Sequence, residues 1–299
     1  MTIQGNVQDK PPSDPDWSDG HTDTMIRGLC YGEGRFLAVG GQGDATFRST
    51  TNGSTWTTLV TLDGMGGRPK ASWFGGCAYG NNRFVAAGGN GARCWSTDGI
   101  TWACPAGYMA FHHRAIAFGG GRFVTVGNSY ATPAMHISGI STDGATWTEI
   151  PSLMNRTAND IIYVASHGGF YAPFGDALGF LANGSTSWTA VAGVDSSGTA
   201  GMTVKDGTAY LGGTRPASPY TRFLLSSANG TQWNTGTPTS SIDALHYDQK
   251  NHFIALRYQY PSPPIPIRKS SADGITWTEV TETNTLHGVG RFVTGAIFP

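Results

Sequence analysis

The chain has 299 residues, 43 of them glycine, with 13% charged residues and a formal net charge of −1. That length suits one large all-β domain as well as two smaller domains. The balanced charge, without a basic stripe, excludes an electrostatic nucleic-acid binder, and no apolar run is long enough to cross a bilayer as a helix.

In chain order, the opening Met1-Thr2-Ile3-Gln4-Gly5-Asn6-Val7 lacks the positive and apolar regions of a secretory signal. The segment Ser13-Asp14-Pro15-Asp16-Trp17 then reads as a worn copy of a motif that recurs downstream. A short apolar strand, Arg27-Gly28-Leu29-Cys30-Tyr31, leads through a Gly turn into Gly34-Arg35-Phe36-Leu37-Ala38-Val39, which is a hairpin signal. The next strand ends in the box Ser49-Thr50-Thr51-Asn52-Gly53-Ser54-Thr55-Trp56. The cycle repeats with Asn82-Arg83-Phe84 and Ser96-Thr97-Asp98-Gly99-Ile100-Thr101-Trp102, then with Gly121-Arg122-Phe123 and Ser141-Thr142-Asp143-Gly144-Ala145-Thr146-Trp147. Weaker copies carry Phe170 with Trp188 and Tyr210 with Trp233; a clean box ends at Trp277 after Phe253.

The tryptophan steps are 46, 45, 41, 45 and 44 residues. A strand-rich repeat of this period predicts β-propeller blades of four strands each. A seventh aromatic landmark, Gly290-Arg291-Phe292-Val293-Thr294, has no box after it. Wrapping the end of the chain onto Trp17 gives a spacing of 24, within the 18 to 24 seen elsewhere. The expectation is one domain over 1–299, a seven-bladed propeller whose closing blade is shared by residues 286–299 and 1–20.

The boxes are read as structural. Ser, Thr and Asp side chains accept backbone N–H bonds inside a tight turn, and the Trp covers the seam between blades. The repeated Arg35, Arg83, Arg122 and Arg291 are assigned to their own turns. Cys30 and Cys77 are read as buried small residues. Cys94 and Cys104 flank a box hairpin on neighbouring strands, a position that allows a disulfide without requiring one. No metal-ligand spacing is present, and neither a metal nor a cofactor is expected.

The boxes resemble the Asp-box, or BNR, repeat found in sialidases, sortilin-type receptors and many microbial and phage propellers. In Ser141-Thr142-Asp143-Gly144-Ala145-Thr146-Trp147 the Asp stands directly against the Gly, one residue shorter than the family pattern. This short form in a Gly-rich chain looks like propellers encoded near phage tail and virion genes. The resemblance implies a fold shared by enzymes and non-enzymes. A sialidase would bring an early Arg-Ile-Pro motif and a Tyr–Glu nucleophile pair; Arg-Ile-Pro is absent, and Pro264-Ile265-Pro266-Ile267-Arg268 is only an echo of it. Glu149 and Glu279 follow Trp-Thr at equivalent repeat positions and are read as strand surface.

Recognition is expected in the loops between blades and between strands two and three, on the face opposite the boxes. Those loops carry Arg68, Lys70, Trp73, Tyr108, His112, His113, Arg114, Tyr130, His136, Tyr220 and Tyr258. Among these, Tyr108, His112, His113, Arg114, Tyr220 and Tyr258 are the candidate contacts for a glycan or protein. The expected function is a non-enzymatic phage virion propeller, on a tail fibre, tail tip or capsid surface. It would be present in multiple copies and bind host surface glycan or another virion protein, with no nucleic acid and no membrane insertion. A secreted bacterial lectin or adhesin is the alternative, and a sialidase-like hydrolase a further one.

Overall fold

The computed structural model describes residues 26–42, 44–52, 55–61, 73–105, 110–130, 136–215, 219–242, 244–247, 253–259 and 265–279. Among these residues, six antiparallel sheets follow one another along the chain. The first holds β1 (Ile26–Gly32), β2 (Arg35–Gln42), β3 (Asp44–Thr50) and β4 (Thr57–Thr61). The second holds β5 (Phe74–Gly80), β6 (Arg83–Gly88) and β7 (Arg93–Ser96), with a bridge from Trp95 to Ala103 in place of a fourth strand. The third holds β8 (Phe111–Gly119), β9 (Arg122–Ser129), β10 (Ile137–Ser141) and β11 (Thr148–Pro151).

The remaining three repeat the plan. They are β12 (Ile162–Val164), β13 (Gly169–Phe174), β14 (Ala177–Ala182) and β15 (Thr189–Asp195); then β16 (Thr199–Lys205), β17 (Thr208–Arg215), β18 (Thr221–Ser227) and β19 (Asn234–Gly236); then β20 (Ala244–Tyr247), β21 (Phe253–Gln259), β22 (Ile265–Ser271) and β23 (Thr278–Glu279). The first strands β1, β5, β8, β12, β16 and β20 pack side by side in that order. Each sheet is therefore a blade, with its first strand innermost.

The packing rules are legible in single residues. Tyr79 seats its ring on Gly32 of the preceding blade, Phe118 on Gly80 and Tyr163 on Gly119, where a Cβ would overlap the ring. Box tryptophans also lie on the preceding blade. Trp102 stacks on Phe47 at 4.1 Å, Trp233 meets Tyr171 edge-on at 5.6 Å, and the Trp188 Nε1–H donates to Ser138 Oγ at 3.0 Å. Inside the third box, Asp143 Oδ1 accepts from the N–H of Ala145 (2.9 Å) and Thr146 (2.7 Å), while Ser141 Oγ accepts from Gly144 N–H at 2.8 Å. Gly144 has φ +71°, the left-handed turn that a Gly adopts without strain. Trp147 Nε1–H closes the motif on Gly144 O at 3.0 Å.

Two sequence expectations change. The landmark arginines do not serve only their own turns. Arg83 Nη1 donates to Asp143 O, and Arg122 donates to Ser185 O and Ala182 O, all at 2.6 Å, so each reaches the box region of the next blade. Cys30 and Cys77 are not separate buried residues: they form a disulfide between the first and second blades. Cys30 directly precedes Tyr31, whereas Cys77 stands two before Tyr79. With side chains alternating across a strand, that one-residue offset turns the two thiols towards each other. Cys94 and Cys104 are also bonded. Their cross-strand position is the one filled by Lys269 and Glu279 in the last described blade. Residues 1–20 and 286–299 lie outside the described residues.

Candidate recognition site at the first-strand ends

A register shift near the start of the first strand recurs in four blades. The skipped residues are Arg27, Gly75, Arg114 and Ala200. A bulge of this kind re-aims a side chain away from the normal alternation. In the first three blades the series reads Arg, Gly, Arg. Gly75 leaves space that Arg114 uses: a Cβ there would come within 2.6 Å of Arg114 O.

Trp73, just before β5, sits between the two arginines. Arg27 Cζ lies 5.0 Å and Arg114 Cζ 5.3 Å from its ring centroid. Arg27 Nε donates to Gly41 O (3.4 Å) and Arg114 Nε to Asn128 Oδ1 (2.7 Å), which fixes both guanidiniums. His112 packs between Trp73, at 5.3 Å, and Tyr130, at 4.6 Å. Its Nδ1 accepts from Asn90 N–H at 3.2 Å, so the ring proton belongs on Nε2. Tyr130 O–H donates to Asn90 Oδ1 at 3.1 Å, and Tyr130 is 40% exposed. Burial, and then the charge of Arg114, hold the His112 pKa below its ordinary value. The face is rich in donors and cations, and it lies at the strand ends opposite the box turns.

Of the six sequence candidates, the structure brings together His112 and Arg114. His113 corrects the sequence reading: it is 0% exposed and points into the blade. The strand begins at Phe111, so neighbouring residues face opposite ways, and only His112 of the histidine pair meets Trp73 and Tyr130. Tyr220 is 78% exposed before β18, two blades from the cluster, and joins no part of it. Tyr258 lies on β21 opposite Pro266, with its side chain outside the described residues. Tyr108 is outside them too. Sequence reading missed Arg27 and Asn90. The signal for Arg27 was present, since Arg27-Gly28-Leu29-Cys30-Tyr31 and Arg114-Ala115-Ile116-Ala117-Phe118 place Arg at the same step.

Three glutamates elsewhere are engaged. Glu149 pairs with Arg93 across the seam between the second and third blades at 2.6 Å, and Glu279 pairs with Lys269 at 3.1 Å. Tyr79 O–H donates to Glu33 Oε1; burial and Glu33 push the phenol up to about 12. No group of three or more His, Cys, Asp or Glu gathers as a metal site among the described residues.

No family model matches the chain, and no curated protein matches it in sequence. Solved structures match its fold. YCF48 bound to a D1 peptide aligns with TM-score 0.61 at 18% identity, covering 86% of this chain and 82% of that one. The WD40 β-propeller domain of Doa1 aligns at 0.60 and 12% identity, with coverages of 89% and 85%. YCF48 from Cyanidioschyzon merolae aligns at 0.60 and 13%, with coverages of 89% and 88%. At these identities the likeness establishes a β-propeller and says nothing of activity.

Proposed function

We propose that the chain is a non-enzymatic recognition propeller of the Asp-box type, carried in multiple copies on a phage particle. It binds an anionic host glycan at the channel mouth. The observation that carries this reading is the pair of bulge arginines held against one indole. Both guanidiniums lie over Trp73, so its ring serves as a seat for cations rather than as a platform for a neutral sugar. An acidic group then gains charge-assisted bonds from two pre-positioned donors. The placement on a virion rests on the short Asp-Gly box and the low charge. A protein partner is the second reading, favoured by the propeller YCF48 that was solved with a bound peptide.

A hydrolase is disfavoured by the sequence, which lacks the Arg-Ile-Pro motif that a sialidase would bring. Seven blades with a shared closing blade complete the reading. Tyr31 is the first-blade equivalent of Tyr79, and Gly288 stands before Arg291-Phe292 as Gly32 stands before Arg35-Phe36.

The test is a glycan array with acidic and neutral members, read at two salt concentrations, with an Arg27→Gln/Arg114→Gln double variant. Charged hydrogen bonds contribute about 1.5–3 kcal/mol each, so the double variant is expected to bind at least 100-fold more weakly. Binding of neutral glycans alone, unchanged in the double variant, refutes the site. Turnover of a sialoside refutes the non-enzymatic reading.

A further inference from the structure

His113 is an anomaly in the core beneath this site. It is fully buried, and neither ring nitrogen has a hydrogen-bond partner among the described residues. Its ring stands edge-on to Phe111 at 4.8 Å. Its backbone is paired with Gly127 of β9, and its carbonyl faces Gly75 of β5. The charged group facing it from β7 is Arg93, whose Nε and Nη2 are themselves buried without hydrogen-bond partners. On its own strand it has His112, with Arg114 beyond, and Glu149 of β11 reaches the region only through its pair with Arg93. The imidazole is thus held neutral, at the seam between the second and third blades, one residue before a site arginine.

We propose that His113 makes the mouth site acid-releasable: protonation at low pH opens the seam between β5 and β8 and scatters Arg114, His112 and Trp73. A protonated His113 would be a second buried cation beside Arg93, with no acceptor of its own among the described residues. Opening hydrates it. The opened state therefore binds a proton that the closed state rejects, and acid favours the opened state. Burial, Arg93 and His112 all act to lower the pKa in the closed state. The stability of the seam is complete above the ordinary histidine value near 6.5 and falls as pH drops below it. The limit is about tenfold in the opening equilibrium per pH unit. Glu149 does not cancel the effect, because its carboxylate is held on Arg93 at 2.6 Å.

This regulation belongs to the recognition site proposed above and rests on that reading, but its test needs no ligand. Native-state hydrogen exchange is measured on the whole chain from pH 7 to pH 4.5, after correction for intrinsic exchange. Protection at Val124 and Thr125, in the central strand β9, is expected to fall by up to tenfold per unit below about pH 6.5. Protection at Leu211 and Leu224, in the fifth blade, should hold. His113→Leu should reduce the response at the β9 amides, leaving the part that His112, also held below its ordinary value, contributes. If that variant does not fold, the wild-type His113 ring signals serve instead: they should stay in the neutral form well below pH 6.5 until protection is lost. Equal loss of protection in both blades, or a ring that titrates at the ordinary value with protection unchanged, overturns the switch. Either result leaves the binding reading standing; a pH-dependent seam with no acidic ligand on the array sinks the binding reading alone.

Discussion

Gly75 and Gly76 are neighbours with opposite tolerances, and substituting each by alanine tests the architecture of the mouth. Neither has a left-handed φ, so backbone strain does not enter. At Gly76 a new Cβ would lie 3.4 Å from Ile116 Cγ2 and 3.6 Å from Ile116 N, ordinary contact distances. At Gly75 it would press on the carbonyl oxygens of His113 and Arg114, the latter at 2.6 Å. Those atoms belong to the β8 backbone, which cannot rotate away as a side-chain tip would. Overpacking commonly costs 1–3 kcal/mol, and a backbone obstacle places Gly75→Ala at the upper end, about 3 kcal/mol. Gly76→Ala should be neutral, or stabilising by about 0.4–1 kcal/mol through the unfolded chain. For a chain of this size about 2 °C accompanies each kcal/mol, so Gly75→Ala should melt roughly 6 °C below wild type. Calorimetry and urea unfolding of the two variants read the difference. Equal melting of the two would refute the inner-strand packing on which the Arg-Gly-Arg series depends.

Other expectations follow from the boxes and the cross-links. Trp277 is 9% exposed, and Trp277→Ala should cost about 3–5 kcal/mol by chemical denaturation; the more exposed Trp147 should cost clearly less, and the reverse order would refute the assigned packing. Asp98 and Asp273 are held down at about 2, chiefly by the N–H groups of Thr101 and Ile100 in one box and of Thr276 and Ile275 in the other. Their folded values are depressed, so their contribution is present above the unfolded value of 3.8 and lost as pH falls toward about 2; an Asp98→Asn/Asp273→Asn variant should show a shallower acid limb between pH 4 and 2 in the same unfolding assay. All four cysteines are in disulfides, so thiol titration of the unfolded, unreduced protein should find no free thiol. A Cys30→Ala/Cys77→Ala variant should lose about 2–4 kcal/mol.

Most of the scaffold was legible in the sequence because it repeats. A box that recurs in every blade has to serve the blade, and the Asp143 and Asp273 turns have the predicted hydrogen bonds. What escaped were relations between blades, which no local pattern records. Arg83 and Arg122 look like turn residues because they adjoin a tight turn, Asn81-Asn82 in one and Gly120-Gly121 in the other; their length carries them to the next blade. Cys30 and Cys77 seem equivalent until the strands are aligned on Tyr31 and Tyr79, which shows the offset that makes them a pair. The histidine pair looked like loop chemistry, but β8 starts at Phe111, and the pleat hides His113 while showing His112. The bulges were invisible for a simpler reason. A one-residue slip of register leaves composition and periodicity unchanged, and it is the slip that turns Arg27 and Arg114 toward Trp73.

The chemistry of the mouth lies where the repeat is broken. A bulge at the head of strand one is common to four blades, but only the first three fill it with Arg, Gly and Arg; the fifth has Ala200. A structural role would ask the same residue of each blade, because each blade meets its neighbour in the same way. Two cations around a Gly, with a Trp supplied by the middle blade, answer no such need. They also cost stability, since the seam that holds them carries His113 and two Arg93 nitrogens buried without hydrogen-bond partners among the described residues. The seam therefore couples two properties that are separate elsewhere in the fold: the geometry of the arginine pair and the local free energy of opening. Substitutions in β5 or β8 that tighten the seam should strengthen binding and raise acid resistance together, whereas equal changes in the fifth blade should move stability alone. A tightened seam with unchanged affinity would mean that Arg27 and Arg114 are positioned by their own hydrogen bonds to Gly41 and Asn128, without help from blade packing.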